Sequence, residues 1–284
     1  SIDGLMSVSA IIVSYHTGPR LKECLHAVVA TNSVSELVIV DNGNPPEMRA
    51  WLKAFAEAGN KVMLITPDAN LGFGRAVNLG AGAARYDYLL VLNPDCVIRH
   101  DAIDALLDVT EGRSSPVIIG GRIFDQTGTN QRGPMRRELT LSRALSKIAG
   151  GSGINMPLDP QPSGPTPVDV ISGAFFLIDR DGFASLDGFD EGYFLHVEDI
   201  DLCRRVREAG GAVVYQPSAG ALHYGSTSDA SSLVVERHKA SGFARYFRKF
   251  ANAPLQRLAA ELMIPVIGAG LILRALFGGR SKPH

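Results

Sequence analysis

The sequence predicts an α/β protein with a mostly parallel central sheet, helices on both of its faces, and a C-terminal helical extension. Three observations predict this. Short β-branched apolar runs alternate with stretches whose apolar residues recur at helical spacing. Polar clusters follow those runs directly, as loops at the carboxyl ends of parallel strands do. From Arg237 onward the composition shifts to nine Lys or Arg residues, a single acid (Glu261) and the apolar run 262–273.

The first strand is VSAIIVS at 8–14, a run apolar enough to be buried on both faces. Thr17-Gly18-Pro19 breaks it, and Leu21, Leu25, Val28 and Val29 then mark a helix. A second strand at 36–40 ends on Asp41-Asn42-Gly43. A helix at 46–58 and a third strand at 61–66 follow. After the turn 67–70 comes a small-residue helix at 72–84, and then a fourth strand at 87–92 that ends on Asn93-Pro94-Asp95. A fifth strand is expected at 116–124. Residues 126–167, rich in Gly, Pro, Ser and Arg, read as a lid or mobile loop. Order returns at 168–178, before an acidic-aromatic stretch, a helix at 198–209 and a strand at 212–215.

At 284 residues, 45% hydrophobic and 20% charged, the chain fits a soluble protein of one large domain with an appendage. Its formal net charge of −1 gives no global basic field, which argues against a nucleic-acid partner. Cys24, Cys96 and Cys203 are few and far apart, so neither a disulfide framework nor a structural zinc site is expected, and a reducing, cytoplasmic setting fits. A strand-like segment begins almost at once, with no signal-peptide pattern before it.

Four constellations carry chemistry. Asp95, after a buried strand, reads either as a ligand for Mg2+ or Mn2+ or as a strand-end turn residue. His223, in Leu222-His223-Tyr224-Gly225, reads as a second metal ligand or as a hydrogen-bonded edge histidine. Glu198, Asp199 and Asp201 open a helix, where acids are favoured by the dipole; one of the first two reads as a general base. Gly72 and Gly74, in Asn70–Asn78, read as a phosphate-cradling turn or as glycines that let a helix pack closely. They do not match the dinucleotide fingerprint, because Val77 stands where Gly or Ala is needed.

Taken in order, IIVSYHTGPRLKECL, LVIVDNGN, NLGFGRAVNLGA, YLLVLNPDC, ISGAFFLIDRDGFASLDGFDEGYFLHVEDIDLCRRVREAGG and ALHYGSTS resemble the family-2 glycosyltransferases with the GT-A fold, most of all their bacterial rhamnosyltransferase-type branch. The resemblance implies a catalytic domain at 7–228, with a nucleotide-sugar half at 7–124 and an acceptor half at 125–228, and a helical, membrane-associating segment at 229–284. It implies that Asp41 and the backbone of Val13, Ser14 and Tyr15 hold the nucleobase, and that Asp68, Asn70, Gly72 and Arg75 line the nucleotide-sugar site. Asp95 and His223 would bind the metal, with Asn93 in place of the first acid of the family's Asp-x-Asp motif. Asp199 would be the base, with Glu198 the alternative, and Gly173 and Ala174 would border the acceptor pocket beside Glu198.

The implied partners are a dTDP- or UDP-sugar donor, with dTDP-rhamnose favoured over a UDP-hexose, and a glycan or polyprenyl-pyrophosphate-linked acceptor. The implied reaction is a single inverting transfer in polysaccharide or cell-envelope synthesis. Trp51, the only Trp, lies outside any Gln-x-x-Arg-Trp motif of the processive synthases. The basic-aromatic cluster 245–250 suggests an anionic membrane surface on the inner face of the cell membrane, the competing reading being a helix pair packed on the domain. The apolar run 262–273 is shorter than a spanning helix. Basic residues Arg132, Arg136, Arg137, Arg143 and Lys147 suit a pyrophosphate-bearing acceptor. A sugar nucleotidyltransferase would need a Gly-rich basic loop after the first strand, which SYHTGPR does not supply; a non-catalytic relic would have lost carboxylates that are present here.

Overall fold

The computed structural model describes residues 7–131, 133–157, 160–225 and 232–277. Arg132, Ser226, Thr227, Ser228 and the expected domain boundary at 228/229 lie outside the described residues. In chain order the elements are β1 (Val8–Ser14), α1 (Arg20–Val29), β2 (Val34–Asp41), α2 (Pro46–Ala58), β3 (Val62–Ile65), α3 (Phe73–Ala83), β4 (Tyr88–Leu92), β5 (Cys96–Ile98), α4 (Ala102–Leu107) and β6 (Val117–Phe124). They continue with β7 (Met135–Arg136), α5 (Leu141–Ile148), β8 (Thr166–Pro167), β9 (Val170–Ile171), β10 (Phe175–Asp179), α6 (Arg180–Ser185), α7 (Glu198–Glu208), β11 (Ala212–His223), α8 (Ser232–Lys249) and α9 (Pro254–Phe277).

Every residue of β1 is buried, as a central strand covered on both faces requires. The sheet runs β3-β2-β1-β4-β10-β6-β11-β5, with β8 added beside β11. β3, β2, β1 and β4 are parallel. β10 is antiparallel to both of its neighbours, β4 and β6. This reversal sets the site: Phe175 at the start of β10 pairs with Leu92 at the end of β4, so Gly173 and Ala174 stand at the carboxyl ends of the parallel strands. α3 lies close on β1, because a Cβ at Gly80 would come within 2.7 Å of Ile11 Cγ2.

Three expectations are corrected. Residues 126–167 are not a bare loop. Thr140 caps α5 by accepting from the amide of Arg143, and Leu141, Leu145 and Ile148 pack on the main core. The flanking Gly and Pro residues obscured this two-turn helix. β11 runs through to His223 rather than ending at 215. A register shift between Gln216 and Gly220 lets the strand pass Pro217, which otherwise reads as a break. β5 is an additional short strand after Asp95.

The C-terminal helices pack on the core, which is the competing reading of the sequence. Tyr246, Phe247, Ala260, Ile267 and Leu271 belong to the same core as Ile11 and Phe176. The basic-aromatic cluster is engaged within the molecule: Arg245 pairs with Asp190 at 2.7 Å, Lys249 with Asp190 and Asp201 at 2.7 Å each, and Arg248 with Glu261 at 2.7 Å. Burial works to raise the Asp190 pKa, but hydrogen bonds from Arg245 and Lys249 overcome it and hold the carboxyl below its ordinary value. α9 extends the apolar run, and its window Pro254–Leu273 is long and apolar enough to cross a membrane by length and composition. Leu255, Leu258, Leu262, Val266, Leu273 and Leu276 on it are exposed.

Candidate active site

The ends of β1 and β2 form a closed polar network. Asp41 is buried, and its Oδ1 accepts from the amide of Asn44 and from Asn44 Nδ2, both at 2.9 Å. Arg49 Nε lies 3.5 Å from Oδ2. Asn44 also bonds the Ser14 hydroxyl and carbonyl. Asp41 and Ser14 therefore fix the shape of this corner, beside buried Val13 and exposed Tyr15. Asn42 donates to Asn70 Oδ1 at 2.9 Å and accepts from the amide of Leu71, which ties the loop after β3 to the loop after β2. Asn42 and Asn44 stand in the Asp-Asn-Gly-Asn turn, but their roles need the third strand in place and were missed.

The structure favours the packing reading of the glycine turn. Gly72 has φ +79 and caps α3, and a Cβ there would collide with the carbonyl oxygen of Phe194. The Gly72 amide donates to Asn70, and the Phe73 amide donates to Phe194 O at 3.0 Å. The amides of Gly72 and Phe73 are thus taken by protein rather than turned to a phosphate. Asp68 is exposed on the loop before α3. Arg75, in the first turn of α3, makes an exposed ion pair with Glu191 at 3.3 Å.

Asp95 and His223 come together, with Nε2 3.3 Å from Oδ1. Asp95 is buried and follows Asn93, whose amide donates to Ala174 O at 2.8 Å. Gln131 fixes the histidine. Its Nε2 donates to the His223 carbonyl at 2.7 Å, which leaves Oε1 to accept from Nδ1 at 2.6 Å. In the neutral imidazole Nε2 then carries a lone pair facing a carboxylate oxygen, and this donor set fits a divalent metal. Cys96 is the third group in reach; burial foremost, with Asp95 adding to it, pushes its thiol well up. No motif pointed to Gln131, which lies 92 residues from its partner.

Asp199 lies across the same two residues. Its Oδ2 accepts from the Gly173 amide at 2.9 Å and from Arg136 Nη2, while Oδ1 accepts from the amide of Ile200. Glu198 differs. Burial, and then the neighbouring Asp199 charge, push its pKa up to about 8, and its buried Oε2 has no hydrogen-bond partner among the described residues. The two acids thus sit in unlike environments, one compensated by Arg136 and one held neutral. Both line a cavity of about 560 Å³ enclosed by α5, α7, α8 and α9. His196 lines it too, as a neutral imidazole whose pKa burial, aided by Lys239, lowers to about 4. His196 and Val197 both adopt left-handed backbone, an arrangement that costs energy at a β-branched residue and here turns the chain into α7.

Comparison with known proteins follows the geometry. The profile of the family described as "Glycosyl transferase family 2" matches residues 9–186. An N-acetylglucosaminyl-diphospho-decaprenol L-rhamnosyltransferase of Mycobacterium tuberculosis is 33% identical over 81% of this chain and 81% of its own. The rhamnosyltransferase WbbL of Escherichia coli K12 is 27% identical over 89% of this chain and 98% of its own. The mannosyltransferase PcManGT of Pyrobaculum calidifontis, solved with GDP-Man and Mn2+, superposes with a TM-score of 0.61 at 13% identity, over 97% of this chain and 76% of that one. GalNAc-T7, solved with UDP, GalNAc and Mn2+, superposes at 0.64 and 18% identity, over 92% of this chain and only 55% of that one. These structural neighbours establish the shared GT-A fold.

Proposed function

Because the chain belongs to glycosyl transferase family 2, and so is a glycosyltransferase, we propose that it adds one sugar from a nucleoside diphosphate donor to a polyprenyl-diphosphate-linked glycan. The sugar is L-rhamnose from dTDP-rhamnose, and the product serves cell-envelope polysaccharide synthesis. Support for the sugar and the acceptor comes from the names of the mycobacterial and E. coli relatives. The observation that carries the reading is the two-residue bridge: Gly173 donates to Asp199 while Ala174 accepts from Asn93. The acid and the Asp95–His223 pair thereby flank one point, where donor and acceptor meet.

Asp95 and His223 would hold Mg2+ or Mn2+, which would supply positive charge to the departing diphosphate. The acceptor hydroxyl gives its proton to the Asp199 carboxylate, which the Gly173 amide and Arg136 orient. The hydroxyl oxygen attacks the anomeric carbon from the face opposite the leaving group. The bond to the diphosphate breaks with its electron pair on the phosphate oxygen, and the centre inverts. Arg75 assists the leaving group by exchanging Glu191 for phosphate, a small cost for a solvent-exposed pair. Glu198, neutral at pH 7, donates a hydrogen bond to the acceptor.

The enzyme works at the cytoplasmic face of the membrane, and the exposed leucines of α9 lie against the bilayer. A donor panel of dTDP-rhamnose and UDP-hexoses with Mg2+ or Mn2+ tests the transfer. The expected result is a strong preference for dTDP-rhamnose, and loss of at least a hundredfold in kcat for Asp199→Asn with donor binding kept. An Asp199→Asn protein that turns over at the normal rate would sink the base assignment.

A further inference from the structure

The cavity above Asp199 has a chemistry of its own. α5 supplies Arg143 and Lys147 to one wall and α8 supplies Lys239, while Phe243 of α8 and Leu271 of α9 make an apolar stretch. Arg143 donates to the Glu138 carbonyl, and among the described residues it has no carboxylate partner. With Arg136, four cations line the cavity. Against them stand Asp199, paired with Arg136, and Glu236, paired with Lys239, while burial favours the neutral form of Glu198. The surplus is two positive charges, which equals the charge of a diphosphate diester. A volume of about 560 Å³ lies within the range of small-molecule sites, roughly 300–1,000 Å³.

Resting on the transfer reading above, we propose that this cavity seats the diphosphate diester linkage of the acceptor, with Arg143, Lys147 and Lys239 on its phosphates and Phe243 and Leu271 on the first carbons of its alkyl chain. The cations are then determinants of acceptor specificity, and the sugar beyond the diphosphate points to Asp199. The Asp95–His223 pair is not part of the cavity lining, so the donor diphosphate has a separate seat. The alkyl chain leaves beside α9, which contributes Leu271 to the cavity and exposes Val266 and Leu273.

The test uses two water-soluble acceptors carrying the same sugar. One is a short-chain alkyl diphosphate diester and the other an uncharged alkyl glycoside. Direct binding is read by calorimetry, which needs no turnover and so stands even if the donor assignment fails. The full-length protein is expected to bind the diester and not the glycoside. Arg143→Gln and Lys239→Gln each weaken diester binding about tenfold, the usual effect of removing a charged phosphate contact. Each also lowers the ratio of kcat/KM on diester to glycoside by the same factor, and Arg143→Lys restores most of both. Equal binding of both acceptors by the unmodified protein would overturn the proposal. So would equal loss on both in variants whose circular dichroism is unchanged, or displacement of the diester by dTDP at its own saturating concentration.

Discussion

Gln131 touches no substrate in the proposed reaction, yet the metal should depend on it. Gln131→Ala deletes two hydrogen bonds to His223, of 2.6 and 2.7 Å. Each neutral bond is worth about 1 kcal/mol net. Without the first, Nδ1 is no longer obliged to hold the proton, and the imidazole can present Nε2–H to Asp95 instead of a lone pair. Partners of ligating histidines are worth 10–100-fold in metal affinity, so a loss of about thirtyfold in Mn2+ affinity, roughly 2 kcal/mol, is expected. The assay is a Mn2+ titration followed by electron paramagnetic resonance, with dTDP saturating, on wild type, Gln131→Ala and His223→Ala. Gln131→Ala should bind more weakly, recover most of its kcat at high Mn2+, and sit between the other two. If Gln131→Ala titrates within twofold of wild type while His223→Ala loses the ion, the tautomer argument is wrong.

Three further outcomes are expected. Burial raises the Glu198 pKa from its ordinary 4.5 to about 8, so the folded state keeps a proton that the unfolded chain gives up across that window. Stability should therefore fall as pH rises from about 4.5 to 8, by at most ~1.4 kcal/mol per unit, and thermal melts of Glu198→Gln should show a flatter profile. Leu258→Gln with Leu262→Gln on α9 should cut co-sedimentation with vesicles at least tenfold. Neutral phosphatidylcholine and anionic phosphatidylglycerol vesicles should bind the parent protein alike, because the nearby cations are engaged by Asp190, Asp201 and Glu261; a strong anionic preference would contradict this.

The sheet was legible wherever burial alone dictates the residues. VSAIIVS at 8–14 and the helix at 46–58 have the bounds expected of them, because a strand covered on both faces and a Pro-initiated amphipathic helix leave few alternatives. The order of motifs carried the family as well. What the sequence hid was long-range. Gln131 and Arg136 acquire their partners only when β11 and α7 are packed beside them. α5 reads as loop because its two turns sit among Gly and Pro. The basic-aromatic stretch at 245–250 looked like a membrane determinant because composition does not reveal Asp190 and Asp201 facing it. Gly72 resembled a phosphate turn for a similar reason, as the Phe194 carbonyl that excludes a side chain comes from a segment 122 positions away.

Asp201 gives the C-terminal helices a consequence for engineering. It is completely buried, and its carboxylate is satisfied by Tyr193, Arg205 and, at 2.7 Å, Lys249. A chain cut before α8 would retain Asp201 with one of its cations missing and would bare the face of Val197 that Gly242 approaches. Hybrids that graft acceptor preference between relatives therefore have no clean seam ahead of residue 232. α7 and α8 must be exchanged together, as parts of one cooperative unit that includes Asp199, the proposed base.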